Sequence, residues 1–357
     1  MTPRPAPTVV YTDPAWAVVD GTRVDPATAV VENEVYGDAL SLRIGPYADG
    51  RYRPESPALR ELVSGAAALA VYRAQVTPEL LDAAGPRLRV VARQGVGTDN
   101  LNAPLLGERG IIGFNVPDYC VDEVAAHTLA MILAWERGLV AQHNDLADGR
   151  FDIYHGRTPR RLAGRTAGII GLGRIGKAVA ARLRLFYERV IAVDPFVHAD
   201  HMIGYGVRKV ELPELLAESD VVMLHCPLNP DTRGLIDAEA LRRMRTDALL
   251  VNTARGALVD AEALAQALDR DAIGGAALDV FVPEDPNASE SYRRILKLPN
   301  VLVSSHRAFL SEESELSSRR RVAEGVRHVL ETGTPPATGH VPGSATSGAP
   351  FSVEAGR

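Results

Sequence analysis

Three ionisable side chains of different kinds each stand just beyond a short apolar run. Arg255 follows Val251-Asn252-Thr253-Ala254, Glu284 closes Leu278-Asp279-Val280-Phe281-Val282-Pro283, and His306 follows Val301-Leu302-Val303-Ser304-Ser305. Oxidising a carbon that bears a hydroxyl needs a base for the hydroxyl proton while hydride leaves the carbon. Histidine suits that task because its unperturbed pKa is about 6.5. A carboxylate beside it favours the imidazolium and fixes the ring. A guanidinium holds a substrate carboxylate and polarises a carbonyl. Ligands of open α/β sheets bind outside the carboxyl ends of strands, where these residues should lie. The set fits hydride transfer at the 2-position of a small anionic acid.

The hydride carrier has its own signature. Gly171-Leu172-Gly173-Arg174-Ile175-Gly176 is a G-x-G-x-x-G run that follows the apolar stretch Thr166–Ile170 and opens a helical pattern, Arg174–Leu185. In that context Gly171 allows a tight turn, Gly173 lets backbone approach a pyrophosphate, and Gly176 lets helix pack on strand. The helix N-terminus offers free N–H groups and the positive end of its dipole. The next strand ends in Asp194, 18 residues past Gly176. A carboxylate there accepts from a ribose 2′-hydroxyl and repels a 2′-phosphate, which favours NAD over NADP.

These residues need two α/β layers to hold them. The chain has 357 residues, enough for roughly two domains of about 150. Apolar residues form 46% and charged residues 24%. The net charge of -6 argues against a broad nucleic-acid or anionic-membrane surface. Cys120 and Cys226 alone make no disulfide framework, and no metal site is expected. The N-terminal residues lack a secretory pattern and no apolar run reaches about 18 residues, so a cytoplasmic protein without membrane contact is expected. Asn287-Ala288-Ser289 reads as a chance glycosylation sequon.

Strands are expected at Thr8–Thr12, Ala67–Val71, Leu88–Ala92, Ile111–Asn115, Thr166–Ile170, Arg189–Val193, Val221–Leu224, Ala248–Asn252, Gly275–Leu278 and Val301–Ser304. Helical patterns lie between them, at Ser56–Ser64, Leu212–Glu218, Ala238–Met244 and Ala261–Leu268. The longest runs over Val121–Arg150. Asp237 and Asp260 read as N-caps. Near-continuous apolar strands alternating with helices indicate parallel sheets buried on both faces. Residues 1–118 with 306–332 should form a substrate-binding domain and 119–305 an NAD-binding domain. Residues 333–357, rich in Gly, Pro, Ser and Thr, should be disordered.

The chain resembles the D-isomer-specific 2-hydroxyacid dehydrogenase family over roughly residues 7–332. The resemblance rests on Gly171–Gly176, on VNTARGALVD at 251–260, on GAALDV at 275–280 and on His306. It is nearest to the branch that holds the C-terminal-binding proteins and phosphoglycerate dehydrogenases. It implies two Rossmann-like lobes with parallel sheets, the nucleotide-binding lobe inserted into a flavodoxin-like substrate lobe. It also implies that Arg255 binds substrate, that Glu284 pairs with His306, and that His306 is the acid/base. Glu284 is favoured over Asp285 because it stands five residues past Asp279. The loop Arg93–Asn100 resembles the family's substrate loop, with N–H groups of Val96 and Gly97 on the substrate carboxylate, and 115–124 resembles the hinge. Arg174 and Ile175 should meet the cofactor through backbone, and His225, Cys226 and Pro227 should line its side. Thr253, Ala254 and Asp279 should approach the nicotinamide, Asp279 holding its carboxamide or Arg255. A homodimer built on the bridging helix is a further implication. His127 on that helix reads as a packed or exposed histidine.

Some residues depart from the pattern. His306 is followed by Arg307, and Tyr72-Arg73 adds charge before its loop. Together Arg307 and Arg73 suggest a dianionic substrate, such as a phosphonate or a dicarboxylate. The insertion-like PNASESYRR at 286–294 should reshape the rim of the site. Two rival readings are an NAD-responsive binding module of corepressor type and a phosphite or hydroxyalkylphosphonate dehydrogenase.

Overall fold

The computed structural model describes residues 6–348. They divide into two compact units, 6–119 with 312–348, and 120–311.

In the first unit, five short parallel strands form one sheet: β1 (Thr8–Tyr11), β2 (Ser41–Ile44), β3 (Ala68–Val71), β4 (Val90–Arg93) and β5 (Ile112–Asn115). Their order is β2-β1-β3-β4-β5, the flavodoxin-like order. Every residue of β3, β4 and β5 is buried, as expected of a sheet covered on both faces. One face packs on Val322, Val326 and Val329 of the helix Glu312–Thr332. The other packs on Leu59, Val63, Leu80 and Leu106. Ser56 and Thr77 cap the helices Pro57–Val63 and Pro78–Ala84, each with Pro in the first turn.

Several elements here were not expected from the sequence. The helix Val30–Tyr36 carries a fully buried acid, Glu32, and β2 reads S-L-R-I. Glu32 is tolerated because Arg319 of the helix Glu312–Thr332 grips both of its oxygens, at 2.9 and 2.6 Å. Arg319 also stacks over the Trp16 ring at 4.1 Å.

Residues 333–348 correct the expectation of disorder. They run along β5, the sheet's open edge, with Asn115 N–H donating to Gly339 O, Val341 N–H to Gly113 O and Ala345 N–H to Ile111 O. Val341 and Ser344 are buried. Composition predicted a free tail, but an unpaired strand edge offers hydrogen bonds that a Gly/Pro-rich segment can satisfy. Residues 349–357 lie outside the described residues.

The second unit holds seven parallel strands: β6 (Thr166–Ile170), β7 (Arg189–Val193), β8 (Arg208–Lys209), β9 (Val221–Leu224), β10 (Leu249–Asn252), β11 (Gly275–Leu278) and β12 (Val301–Val303). The order is β8-β7-β6-β9-β10-β11-β12, so the chain reverses direction across the sheet between β6 and β9. Asp237 and Asp260 cap their helices as expected, accepting from Ala240 and Ala263. The helical pattern 121–150 is two helices, α1 (Val121–Glu136) and α2 (Leu139–Ala147), bent by 61°. Gly138 between them takes φ +63, which ends the first helix. No single helix among the described residues is long and apolar enough to cross a membrane. Leu139, Leu146, Phe151, Ile153 and Tyr154, in and after α2, are exposed. The second unit ends after Ser311 rather than Ser305, so His306 belongs with it.

The amino ends of β6 and β9 are tied to α1 by buried charge. Arg165 reaches both oxygens of the fully buried Glu136, at 2.8 and 2.7 Å, and its Nε lies 3.2 Å from Asp220. Asp220 in turn accepts from Thr166 N–H. Removing Glu136 takes away the two-oxygen partner of a buried guanidinium and leaves it Asp220 alone. Glu136→Ala should therefore cost about 3–5 kcal/mol of stability, read as a lowered midpoint in urea unfolding followed by circular dichroism. A midpoint like that of the wild type would show that this network does not hold the unit together.

Candidate active site

β6 delivers the glycine turn to the point where the sheet reverses, the usual ligand position in open sheets. The three glycines do different work. Gly171 takes φ +96, and a Cβ there would stand 2.5 Å from Cys226 N and 2.7 Å from His225 C. The turn thus lies directly against the end of β9. A Cβ at Gly176 would strike Gly171 O, so the helix packs tightly on its strand. At Gly173 a Cβ would meet no protein atom within 4 Å. Packing does not demand glycine at 173; the space lies free at the N-terminus of helix α3 (Arg174–Leu183), where Arg174, Ile175 and Gly176 present first-turn N–H groups. That arrangement fits a pyrophosphate.

Asp194 leaves β7 beside the same turn. Its carboxylate accepts from Leu172 N–H at 2.8 Å and from Phe196 N–H at 2.9 Å, so it braces the turn while retaining lone pairs for a ribose hydroxyl. Burial holds the His225 imidazole down to about 4, so it stays neutral near pH 7. Burial, with the Asp194 charge nearby, pushes the Cys226 thiol up to about 11. Pro227 is exposed at the head of the following loop.

Arg255, Glu284 and His306 follow three neighbouring strands, β10, β11 and β12. His306 Nδ1 lies 2.5 Å from Glu284 Oε1, as the resemblance implied. With Nδ1 so engaged, Nε2 is the nitrogen that Glu284 does not hold. The side chains of His306 and Glu284 are 24% and 41% exposed, so the pair is reachable. Arg255 Nη1 donates to Ala254 O at 2.7 Å. The turn that carries it sits against the acid loop, because a Cβ at Gly256 would overlap the Phe281 backbone.

Asp279, expected to approach the nicotinamide, is fully buried. Its Oδ1 accepts from Ser304 Oγ at 2.5 Å and from Arg307 N–H at 3.0 Å, and its Oδ2 accepts from Ala308 N–H at 3.0 Å. Its carbonyl accepts from His306 N–H at 2.7 Å. A carboxylate in that position satisfies the backbone just after His306. Thr253 likewise turns inward: its Oγ1 is 2.9 Å from Thr128 Oγ1 on α1, and Thr128 donates to Val124 O. Ala254 is half-buried, its N–H on Asn252 Oδ1 at 3.1 Å.

Sequence reasoning missed several residues that position the site. Asn252, buried at the end of β10, bonds Ala254 N–H with its oxygen and Arg255 O with its amide, clasping the arginine turn from both sides. An amide ending an apolar strand was the available signal. In the first unit, Asp13 follows β1 and accepts from the N–H groups of Tyr72, Arg73 and Ala74 at 2.6–2.9 Å. His127 Nε2 is 2.9 Å from Ser304 Oγ, so this histidine is neither simply packed nor simply exposed.

The loop after β4 is also held from one side. Asn115 Nδ2 donates to Val96 O at 2.6 Å, and Val116 N–H donates to Gly95 O. The trans peptide then turns the Gly97 N–H the opposite way from Val96 O. Arg73 and Arg307 are exposed, and among the described residues no ion pair holds the Arg307 side chain. The inserted residues 286–294 fold as a short turn and helix α4 (Glu290–Ile295), tied to Glu262 by Ser291 at 2.8 Å and Arg294 at 3.0 Å.

Residues 129–308 match the model of the D-isomer specific 2-hydroxyacid dehydrogenase, NAD binding domain. A glyoxylate reductase of Korarchaeum cryptofilum is 38% identical over 262 residues, which cover 70% of this chain and 75% of that protein. The D-3-phosphoglycerate dehydrogenase of Mycobacterium bovis is 35% identical over 296 residues, 82% of this chain and 54% of that protein. The chain thus spans about half the length of the phosphoglycerate dehydrogenases it matches. Among solved structures, D-lactate dehydrogenase from Aquifex aeolicus, complexed with NAD and lactic acid, aligns with a TM-score of 0.78 at 28% identity, covering 90% of this chain and 94% of that one. The glycine turn, the paired histidine and glutamate and the arginine turn therefore sit in a chain that belongs to the D-isomer-specific 2-hydroxyacid dehydrogenase family.

Proposed function

We propose that this protein interconverts a small anionic 2-hydroxy acid and its 2-oxo acid with NAD. The observation that carries the reading is the 2.5 Å contact between His306 Nδ1 and Glu284 beside the arginine turn. Bound NAD would supply the hydride acceptor for the substrate's C2 in oxidation and, as NADH, the hydride donor in reduction. In reduction, His306 gives a proton from Nε2 to the carbonyl oxygen as C2 gains the hydride; in oxidation, neutral Nε2 takes the hydroxyl proton. The balance is oxo acid, NADH and one proton against hydroxy acid and NAD. Glu284 holds the ring and stabilises the imidazolium. Arg255 holds the substrate carboxylate and polarises the carbonyl. The resemblance assigns backbone N–H groups of Val96 and Gly97 to a substrate carboxylate. Asp194 disfavours a 2′-phosphate and so favours NAD. The relatives are dehydrogenases and reductases, which supports catalysis over a binding module.

Absorbance at the NADH band with a panel of 2-oxo acids tests this. NADH should be consumed with at least one member and NADPH should serve poorly. Arg255→Gln should lower kcat/KM by about 10²-fold, the worth of a lost charged hydrogen-bonding group. Wild-type protein that binds NADH yet reduces nothing in the panel would overturn the proposal.

Arg307 and Arg73 bear on substrate choice. Both are exposed: Arg307 directly follows His306, and Arg73 follows β3, whose Val71 pairs with Arg93 at the head of the 93–100 loop. We expect dicarboxylic or phosphono oxo acids to be preferred over monoanions. Arg307→Ala should reduce kcat/KM for dianions by about tenfold more than for monoanions. Equal losses on the two substrate classes would remove Arg307 from selectivity.

A further inference from the structure

We infer that His127 on α1 is a positioning residue for the acid/base, acting through Ser304 and Asp279 on the backbone that carries His306. The inference rests on the role proposed for His306.

His306 adopts φ +52, a left-handed conformation that a residue with a β-carbon takes at a cost. Its neighbours must therefore hold it there. They do so through Asp279, whose main-chain oxygen takes His306 N–H and whose carboxylate takes the N–H groups of Arg307 and Ala308. A fully buried carboxylate must be satisfied by donors. Its third donor is the Ser304 hydroxyl, at 2.5 Å.

Ser304 has a single proton to give. Given to Asp279, it leaves the serine oxygen as an acceptor, and His127 Nε2 stands 2.9 Å from that oxygen. The same nitrogen is 3.7 Å from Asp279 Oδ1. The direction of the chain follows: Nε2–H of His127 donates to Ser304, and Ser304 donates to Asp279. Ser304 has an alternative partner in Met131 Sδ, 3.9 Å away and one turn further along α1. An Nε2–H donor at position 127 holds the hydroxyl rotor on the carboxylate and off the sulfur. The next residue, Thr128, bonds Thr253 just before Arg255. Consecutive residues of one helix thus steady the segments that carry His306 and Arg255.

The test compares His127→Leu with His127→Gln, whose side-chain amide places an N–H donor near the former Nε2. His127→Leu should lower kcat by about tenfold, the scale of a small misplacement of a reacting group, while KM for NADH stays unchanged. Amide hydrogen exchange at Arg307 and Ala308, read by NMR, should quicken. His127→Gln should restore both. Wild-type kcat and wild-type exchange in the leucine variant would overturn the inference, as would a glutamine variant no better than leucine. If the wild-type protein reduces no oxo acid, the proposed function fails by itself, and the exchange measurement still decides the role of His127.

Discussion

The arrangement at the strand ends depends on one buried charge. Asp279 has no exposed surface, yet its carboxylate must be satisfied, and its hydrogen bonds come from Ser304 and the N–H groups of Arg307 and Ala308. Meeting that demand curls residues 304–308 back over the end of β11. The curl forces His306 into its left-handed turn and directs its ring at Glu284. The orientation of the proposed acid/base is thus tied to satisfying a buried carboxylate.

The same economy governs the other segments. Glycine is required where backbone must touch backbone: Gly171 against His225 and Cys226, Gly256 against Phe281. At Gly173 no protein atom fills the space a side chain would take. Asn252 and Asp13 clasp their loops with side-chain hydrogen bonds, which fixes backbone without any bulk in the site. Rigid parallel strands end in step, and short polar clamps do the final aiming.

Much of this was legible in the sequence because it obeys local rules. The apolar runs that became β3, β6, β9 and β11 have both faces buried, so composition alone marks them. Asp237 and Asp260 announce helix starts by a bond only three residues long. The glycine spacing at 171–176 is set by ligand geometry and reads directly. What could not be read depends on partners far away in sequence. Glu32 is buried only because Arg319 arrives 287 residues later. Residues 333–348 are ordered because β5 has a free edge. The donors that satisfy Asp279, at 304, 307 and 308, come into range only when β11 and β12 pair. His127 is placed by the packing of a whole helix, which no local pattern encodes.

The central claim is that hydride moves between nicotinamide and C2 while His306 carries the proton. The most direct measurement uses NADH deuterated at the transferring C4 position, with mass spectrometry of the hydroxy acid formed by wild-type and His306→Gln protein. The account predicts one deuterium on C2 of the wild-type product. It also predicts almost no product from the variant, which should still quench or shift NADH fluorescence as the wild type does. Product from His306→Gln at the wild-type rate, or label lost to solvent instead of fixed at C2, would contradict it.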